Sequence, residues 1–154
     1  MALGTRLNAI VAAVPPDWRR VADIGCDHGL VAAALAAQGR TVIAVDLSAP
    51  CLQKTRDLAK ARGLAVDTRQ GYGLRPLRGG EADGAVIAGM GGRAIIDILS
   101  DPQRTDGINR FVLVPHRDRE LVKQYLASVG LRFSETVAAQ GKHTYLILTA
   151  APRE

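Results

Sequence analysis

Five positions in the first third of the chain have the types and spacing to hold a nucleoside. Asp23, Gly25, Asp27 and Gly29 fall in the run Val-Ala-Asp-Ile-Gly-Cys-Asp-His-Gly, and Asp46 follows Gly25 by 21 residues. Gly25 suits a sharp turn at which a side chain would block the approach of a ligand. A carboxylate such as Asp46 accepts two O–H donors at once, which matches the two hydroxyls of a ribose. A dinucleotide fits poorly. Its fingerprint needs glycines at the first, third and sixth positions, and here those are Gly25, Asp27 and Leu30, so a pyrophosphate would meet a carboxylate. Acids lining the turn favour a nucleoside that carries positive charge. Cys26 belongs to the same turn, and Leu47 follows the ribose-binding candidate. For proton handling the candidates are Asp27, His28 and His116; His143 reads as structural.

The elements that must position these residues follow from periodicity. Leu3, Leu7, Ile10, Val11 and Val14 recur at helical spacing, giving an N-terminal helix that covers one face of a sheet and stops at Pro15-Pro16. Arg20–Ile24 reads as a first strand, Leu30–Gln38 as a helix closed by Gly39, and Thr41–Asp46 as an apolar second strand. Ser48 caps a helix running to about Arg62, and Ala65–Arg69 is a third strand. The crossover over 74–82, with Pro76, Gly79 and Gly80, is too broken for a good helix. Asp83–Ala88 and Asn109–Val114 are the fourth and fifth strands, with short helices after each. Leu131–Ala138 and His143–Ala150 form a closing hairpin around Gln140-Gly141-Lys142. The sum is an α/β fold, Rossmann-like, with a seven-stranded, mostly parallel sheet, helices on both faces and one domain over residues 1–154. Ligands of such sheets bind beyond the carboxyl ends of the strands. That edge also receives Gly71 and Tyr72, whose ring could edge or stack on an adenine, and the loop Ala88-Gly89-Met90-Gly91. Arg75, Arg78, Arg93, Arg117 and Arg119 fall in the same loops and would rim a pocket with positive charge of the kind that meets a phosphate backbone.

Composition bounds these readings. The net charge of +5 permits an anionic partner without establishing one, because arginine outnumbers lysine 16 to 4 and alanine is abundant, as a GC-rich genome would give. Few aromatics disfavour a base-stacking platform. No apolar run approaches a membrane span, and the first residues make a poor signal peptide. Cys26 and Cys51 have neither metal-ligand spacing nor a disulfide framework, which suggests a cytoplasmic protein with no metal site.

The acid-Gly-x-Asp-x-Gly turn resembles the first motif of the class I methyltransferases that use S-adenosyl-L-methionine (SAM). SAM carries a sulfonium and an α-ammonium in place of phosphates, so the carboxylates become an advantage. The loop Gly89-Met90-Gly91-Gly92 has no Asp/Asn-Pro-Pro-aromatic clamp for an exocyclic amine. A ring nitrogen with its own lone pair, such as adenine N1, needs none, and in-line positioning would supply most of the acceleration. Val21-Ala22-Asp23-Ile24-Gly25-x-Asp27-His28, Ile87-Ala88-Gly89-Met90-Gly91-Gly92, Gly141-Lys142 with Tyr145, and Arg6-Leu7 before Pro15 together resemble the TrmK family of bacterial tRNA (adenine-22-N1)-methyltransferases, over about residues 3–150. The resemblance implies SAM as donor, S-adenosyl-L-homocysteine as product and tRNA as substrate. Three features depart from the family: Tyr72 stands where an acid or amide is usual, Val114-Pro115-His116 replaces Gln-Pro-Asn, and the C-terminal helical domain is absent from the sequence. The last implies a partner protein or homo-oligomer that supplies tRNA contacts, or else a SAM-binding module or small-molecule methyltransferase.

Overall fold

The computed structural model describes residues 4–153; Met1–Leu3, including the start of the expected N-terminal helix, and Glu154 lie outside the described residues. Seven strands form one sheet: β1 (Arg20–Ile24), β2 (Thr41–Asp46), β3 (Asp67–Gln70), β4 (Gly84–Met90), β5 (Phe111–Pro115), β6 (Leu131–Gln140) and β7 (His143–Pro152). Their order is β3-β2-β1-β4-β5-β7-β6. Pairing is parallel from β3 to β5, and β7 runs antiparallel to both its neighbours. The strand order reverses between β1 and β4, which makes the carboxyl ends of those two strands the switch point at which such sheets bind ligands.

Side-chain alternation decides which helix covers which face. Val21, Val42, Ala44, Val86 and Val112 pack with Ile10 and Val11 of α1 (Thr5–Ala13), Leu35 of α2 (Leu30–Ala37) and Leu52 of α3 (Ala49–Ala61). Ala22, Ile24, Ile43, Val45, Ile87 and Leu113 pack on the other face with Ile95 and Ile98 of α4 (Gly92–Leu99) and Val122 and Leu126 of α5 (Arg119–Ser128). Each fully buried aliphatic side chain contributes about 1.5–3 kcal/mol. In β1 the residue that shares Val21's face is Asp23, a carboxylate in a core position.

Several boundaries differ from the sequence-based expectation, each for a local reason. β3 starts at Asp67 rather than Ala65, since Ile43–Asp46 of β2 offers it partners only from there. β4 continues to Met90 through a register shift after Ala88, where Gly89 takes a φ of 82°. The segment between β3 and β4 holds no helix, as the prolines and glycines suggested. It is pinned by buried Leu74 and Leu77 and by Arg69, which donates to Glu81 at 2.7 and 2.8 Å. Ser48 caps α3 by accepting from the Cys51 N–H at 3.2 Å. The hairpin turn is the two residues between paired Gln140 and His143, and its strands run longer than expected. No helix of the described residues is long and apolar enough to cross a membrane.

Candidate active site

The turn after β1 is built for close approach. Gly25 has a φ of 70°, and a Cβ there would lie 3.1 Å from Cε of Met90, so the thioether of the β4 loop rests over the turn. Gly29 opens α2 with a φ of 84°, and a Cβ would collide with Thr55 of α3 at 2.8 Å. Thr55 is buried, and its hydroxyl lies 3.3 Å from the Asp27 carbonyl and 3.4 Å from Cys26 Sγ. Burial raises the Cys26 thiol to about 11, so this cysteine is an inert part of the turn. Asp46, at the end of β2, receives the Asp27 N–H at 3.0 Å and the Ser48 N–H at 2.9 Å. Those bonds orient its carboxylate and leave lone pairs for a ligand.

A cavity of about 350 Å3 opens beside this turn. Of the sequence-predicted residues it brings together Asp23, Gly25, Cys26, Asp27, His28, Ala88 and Gly89. Asp23 is 3 % exposed and its Oδ2 has no hydrogen-bond partner. Burial, reinforced by the charge of Asp46 and opposed by a hydrogen bond from the Ala32 backbone, pushes its carboxyl up to about 7. Asp27 and His28 sit at the mouth, with Oδ1 and Nε2 3.5 Å apart. The far wall is formed by residues with no predicted site role: Gly4, Arg6 and Leu7 from the start of α1, and Gln140 and Tyr145 from the hairpin.

Other predicted residues sit elsewhere. Asp46 holds the Asp27 N–H and Gly29 closes the turn on the Cys26 carbonyl, but neither lines the cavity; Leu47 is exposed, its carbonyl accepting from Gln70. The Gly71 N–H donates to the Asp46 carbonyl at 3.0 Å, close to the site. Gly91 opens α4 with the Arg117 side chain lying against it. Tyr72 turns away, packing on the α4-side core beneath the Arg75 guanidinium, 5.1 Å from its ring centroid. His116 is exposed at the end of β5 and donates its N–H to the Met90 carbonyl, outside the cavity wall that holds Asp27 and His28. The arginine rim is smaller than expected. Arg93, Arg117 and Arg119 flank the starts of α4 and α5, but Arg75 is bound to buried Asp101 at 2.7 Å, beyond the end of α4. Arg78 bridges Thr105 and lies near Gly80 and Asp83, which bind Arg20 at the start of β1. It therefore stands at the amino edge. Without a helix, the β3–β4 segment crosses back early and takes both arginines away from the site.

A sheet of this order, with an acid-lined glycine turn at its switch point, defines a Rossmann-like domain. The chain belongs to the family described as "Methyltransferase domain", whose model matches residues 3–148. The chain is 33 % identical over 130 residues to the tRNA (adenine(22)-N(1))-methyltransferase of Bacillus subtilis, covering 80 % of this chain and 54 % of that protein. The crystal structure of the B. subtilis M1A22 tRNA methyltransferase TrmK superposes with a TM-score of 0.85 at 25 % identity, over 99 % of this chain and 68 % of that one. An uncharacterised protein of Listeria monocytogenes superposes at 0.89 with 27 % identity, over 99 % and 69 %. The chain thus spans 54–60 % of the length of the first curated relatives it matches.

Proposed function

We propose that this domain transfers a methyl group from SAM to N1 of an adenine in tRNA. The observation that carries the cofactor half is the buried carboxylate of Asp23 beside the Gly25 turn, whose Oδ2 has no partner, with Asp46 held ready at the end of β2. The residues fit SAM: an orphaned acid suits an ammonium, the acidic loop suits a sulfonium, and the Gly25 turn leaves room for the ligand's backbone. The acceptor half is supported by the likeness to relatives named for adenine-22 N1 methylation.

When bound, SAM supplies an electrophilic methyl on a sulfonium. The protein's part is placement and charge. Asp46 would hold the ribose hydroxyls, and Asp23 the α-ammonium. Ala88 and Gly89, with the backbone of the β4 bulge, form the surface against which an adenine ring would be aligned. Asp27 and His28, at the cavity mouth, would take a proton from the cationic product. Exposed His116 would contact the RNA rather than the reacting base. Arg93, Arg117 and Arg119 would meet tRNA phosphates. On this reading the protein works in a bacterial cytoplasm, and a partner protein or second copy of the chain would add tRNA contacts to the rim.

The test is incubation with methyl-labelled SAM and unmodified tRNA transcripts, followed by digestion to nucleosides. Label in 1-methyladenosine is the expected result. Label in another nucleoside, or none from protein that binds SAM, would overturn the acceptor assignment.

A further inference from the structure

Among the described residues, two that are not glycine take a left-handed backbone: Asp27 in the turn after β1, and Asp118, with φ 55° and ψ 39°, at the start of α5. A side chain disfavours that conformation, although aspartate tolerates it better than most. Asp118 does not make the bond that usually places an acid at a helix start, because its carboxylate caps no backbone N–H of α5. Its charge meets Arg93 Nε of α4 at 3.7 Å, an exposed pair of little weight. Local strain with no local gain points to something that the turn holds in place.

What it holds is the loop after β4. The His116 N–H donates to the Met90 carbonyl at 3.0 Å, and the Gly92 N–H donates to the Arg117 carbonyl at 2.9 Å. The chain then reverses at Asp118 and packs closely on the start of α4. A Cβ on Gly92 would lie 2.5 Å from the Asp118 carbonyl oxygen and 2.8 Å from that of Arg117. Earlier in the same loop, Met90 Cε rests over the Gly25 turn, and Ala88 and Gly89 line the cavity. We propose that Asp118 is a positioning residue for methyl transfer: its left-handed turn docks the β5 loop on the β4 loop and so fixes the backbone of residues 88–90 against the cofactor turn. The inference rests on the methyltransferase reading above and extends it to a residue outside the cavity wall. Alignment of the reacting atoms is sensitive to small displacements, so the effect falls on the rate of transfer rather than on binding.

The experiment replaces Asp118 with Val and Ala, which resist the left-handed region, and with Asn and Gly, which accept it. Each variant is assayed for kcat and for the KM of unmodified tRNA transcripts, for S-adenosyl-L-homocysteine affinity by calorimetry, and for amide exchange at Gly92. Asp118→Val is expected to lower kcat about tenfold, the scale of the left-handed penalty passed on to the loop, and Asp118→Ala about threefold. In both, Gly92 exchanges faster, while KM and S-adenosyl-L-homocysteine affinity stay within about twofold of wild type. Asp118→Asn and Asp118→Gly restore the rate and the Gly92 protection. If Asp118→Val does not fold, Asp118→Ala carries the test. Equal losses in Asp118→Asn and Asp118→Ala would assign the effect to charge and overturn the proposal. So would an unchanged kcat in both Asp118→Val and Asp118→Ala, a loss confined to the KM for tRNA, or a fall in S-adenosyl-L-homocysteine affinity as large as the fall in kcat. Wild-type protein that methylates no tRNA would remove the acceptor reading and this proposal with it, whereas an active wild type with unaffected variants removes the proposal alone.

Discussion

Two regions of this domain treat buried charge in opposite ways. Around the segment from Arg69 to Ile108, every charge taken out of water is answered. Asp106 receives Arg104 at 2.7 and 2.9 Å and the Ile108 N–H at 2.8 Å, and Arg104 also reaches the carbonyls of Leu99 and Ile108. Asp101 is covered by Arg75, and Glu81, held by Arg69, is lowered to about 2. Across the sheet, the cavity beneath α1 leaves Asp23 Oδ2 and Arg6 Nε without hydrogen-bond partners. The first region spends charge on fixing a helix-free crossover. The second leaves charge unspent, at a cost in stability, where a ligand can use it.

That contrast is open to attack by mutation. Asp106→Ala strands the buried Arg104 and should cost about 3 kcal/mol of stability, read by urea or thermal unfolding, with S-adenosyl-L-homocysteine affinity of the folded protein unchanged. Asp23→Asn should do the reverse. Affinity for S-adenosyl-L-homocysteine falls about tenfold or more, while the ligand-free protein unfolds at a higher temperature. The sign follows from the raised carboxyl. Asp23 titrates near 7 in the fold against 3.8 ordinarily, so the stability associated with its protonated form is full below about 4 and is lost as pH rises through 7. The gain from Asn is therefore largest above pH 7 and vanishes in acid. Asp46→Ala, which removes ribose hydrogen bonds and the anchors of the Asp27 and Ser48 N–H groups, should weaken binding about fivefold and loosen the turn, seen as faster amide exchange at Asp27. Equal stability losses in Asp106→Ala and Asp23→Asn would erase the comparison.

How much of this was legible in the sequence depends on how far the chain had to travel. Asp23, Gly25, Asp27, Gly29 and Asp46 lie in two strand–turn units, where neighbours in sequence are neighbours in space, so their meeting around one turn was legible. The seven strands, the closing hairpin and the helices on both faces were legible for the same reason. The opposite wall was not. Arg6 meets Gln140 across 134 residues, and nothing in the local pattern of either marks the meeting. An arginine on an amphipathic helix reads as solvated surface until the hairpin closes over it. Arg75 and Arg78 were misplaced because strand-end position was read from a crossover whose path, without a helix, periodicity does not determine. Tyr72 was drawn away by a core it shares with α4, and the bulge that carries β4 on to Met90 left no mark beyond Gly89.

The most direct test of the central claim, that Asp23 is an unspent charge awaiting a cationic group, is proton release on binding. S-adenosyl-L-homocysteine would be titrated by calorimetry at pH 7 in two buffers of different ionisation enthalpy. Burial, with Asp46 nearby, raises the Asp23 carboxyl to about 7, so a bound ammonium should expel part of a proton from it at that pH. Release should vanish in Asp23→Asn. The same heat in both buffers for the wild-type protein, with binding intact, would mean that Asp23 does not meet the ligand's positive charge.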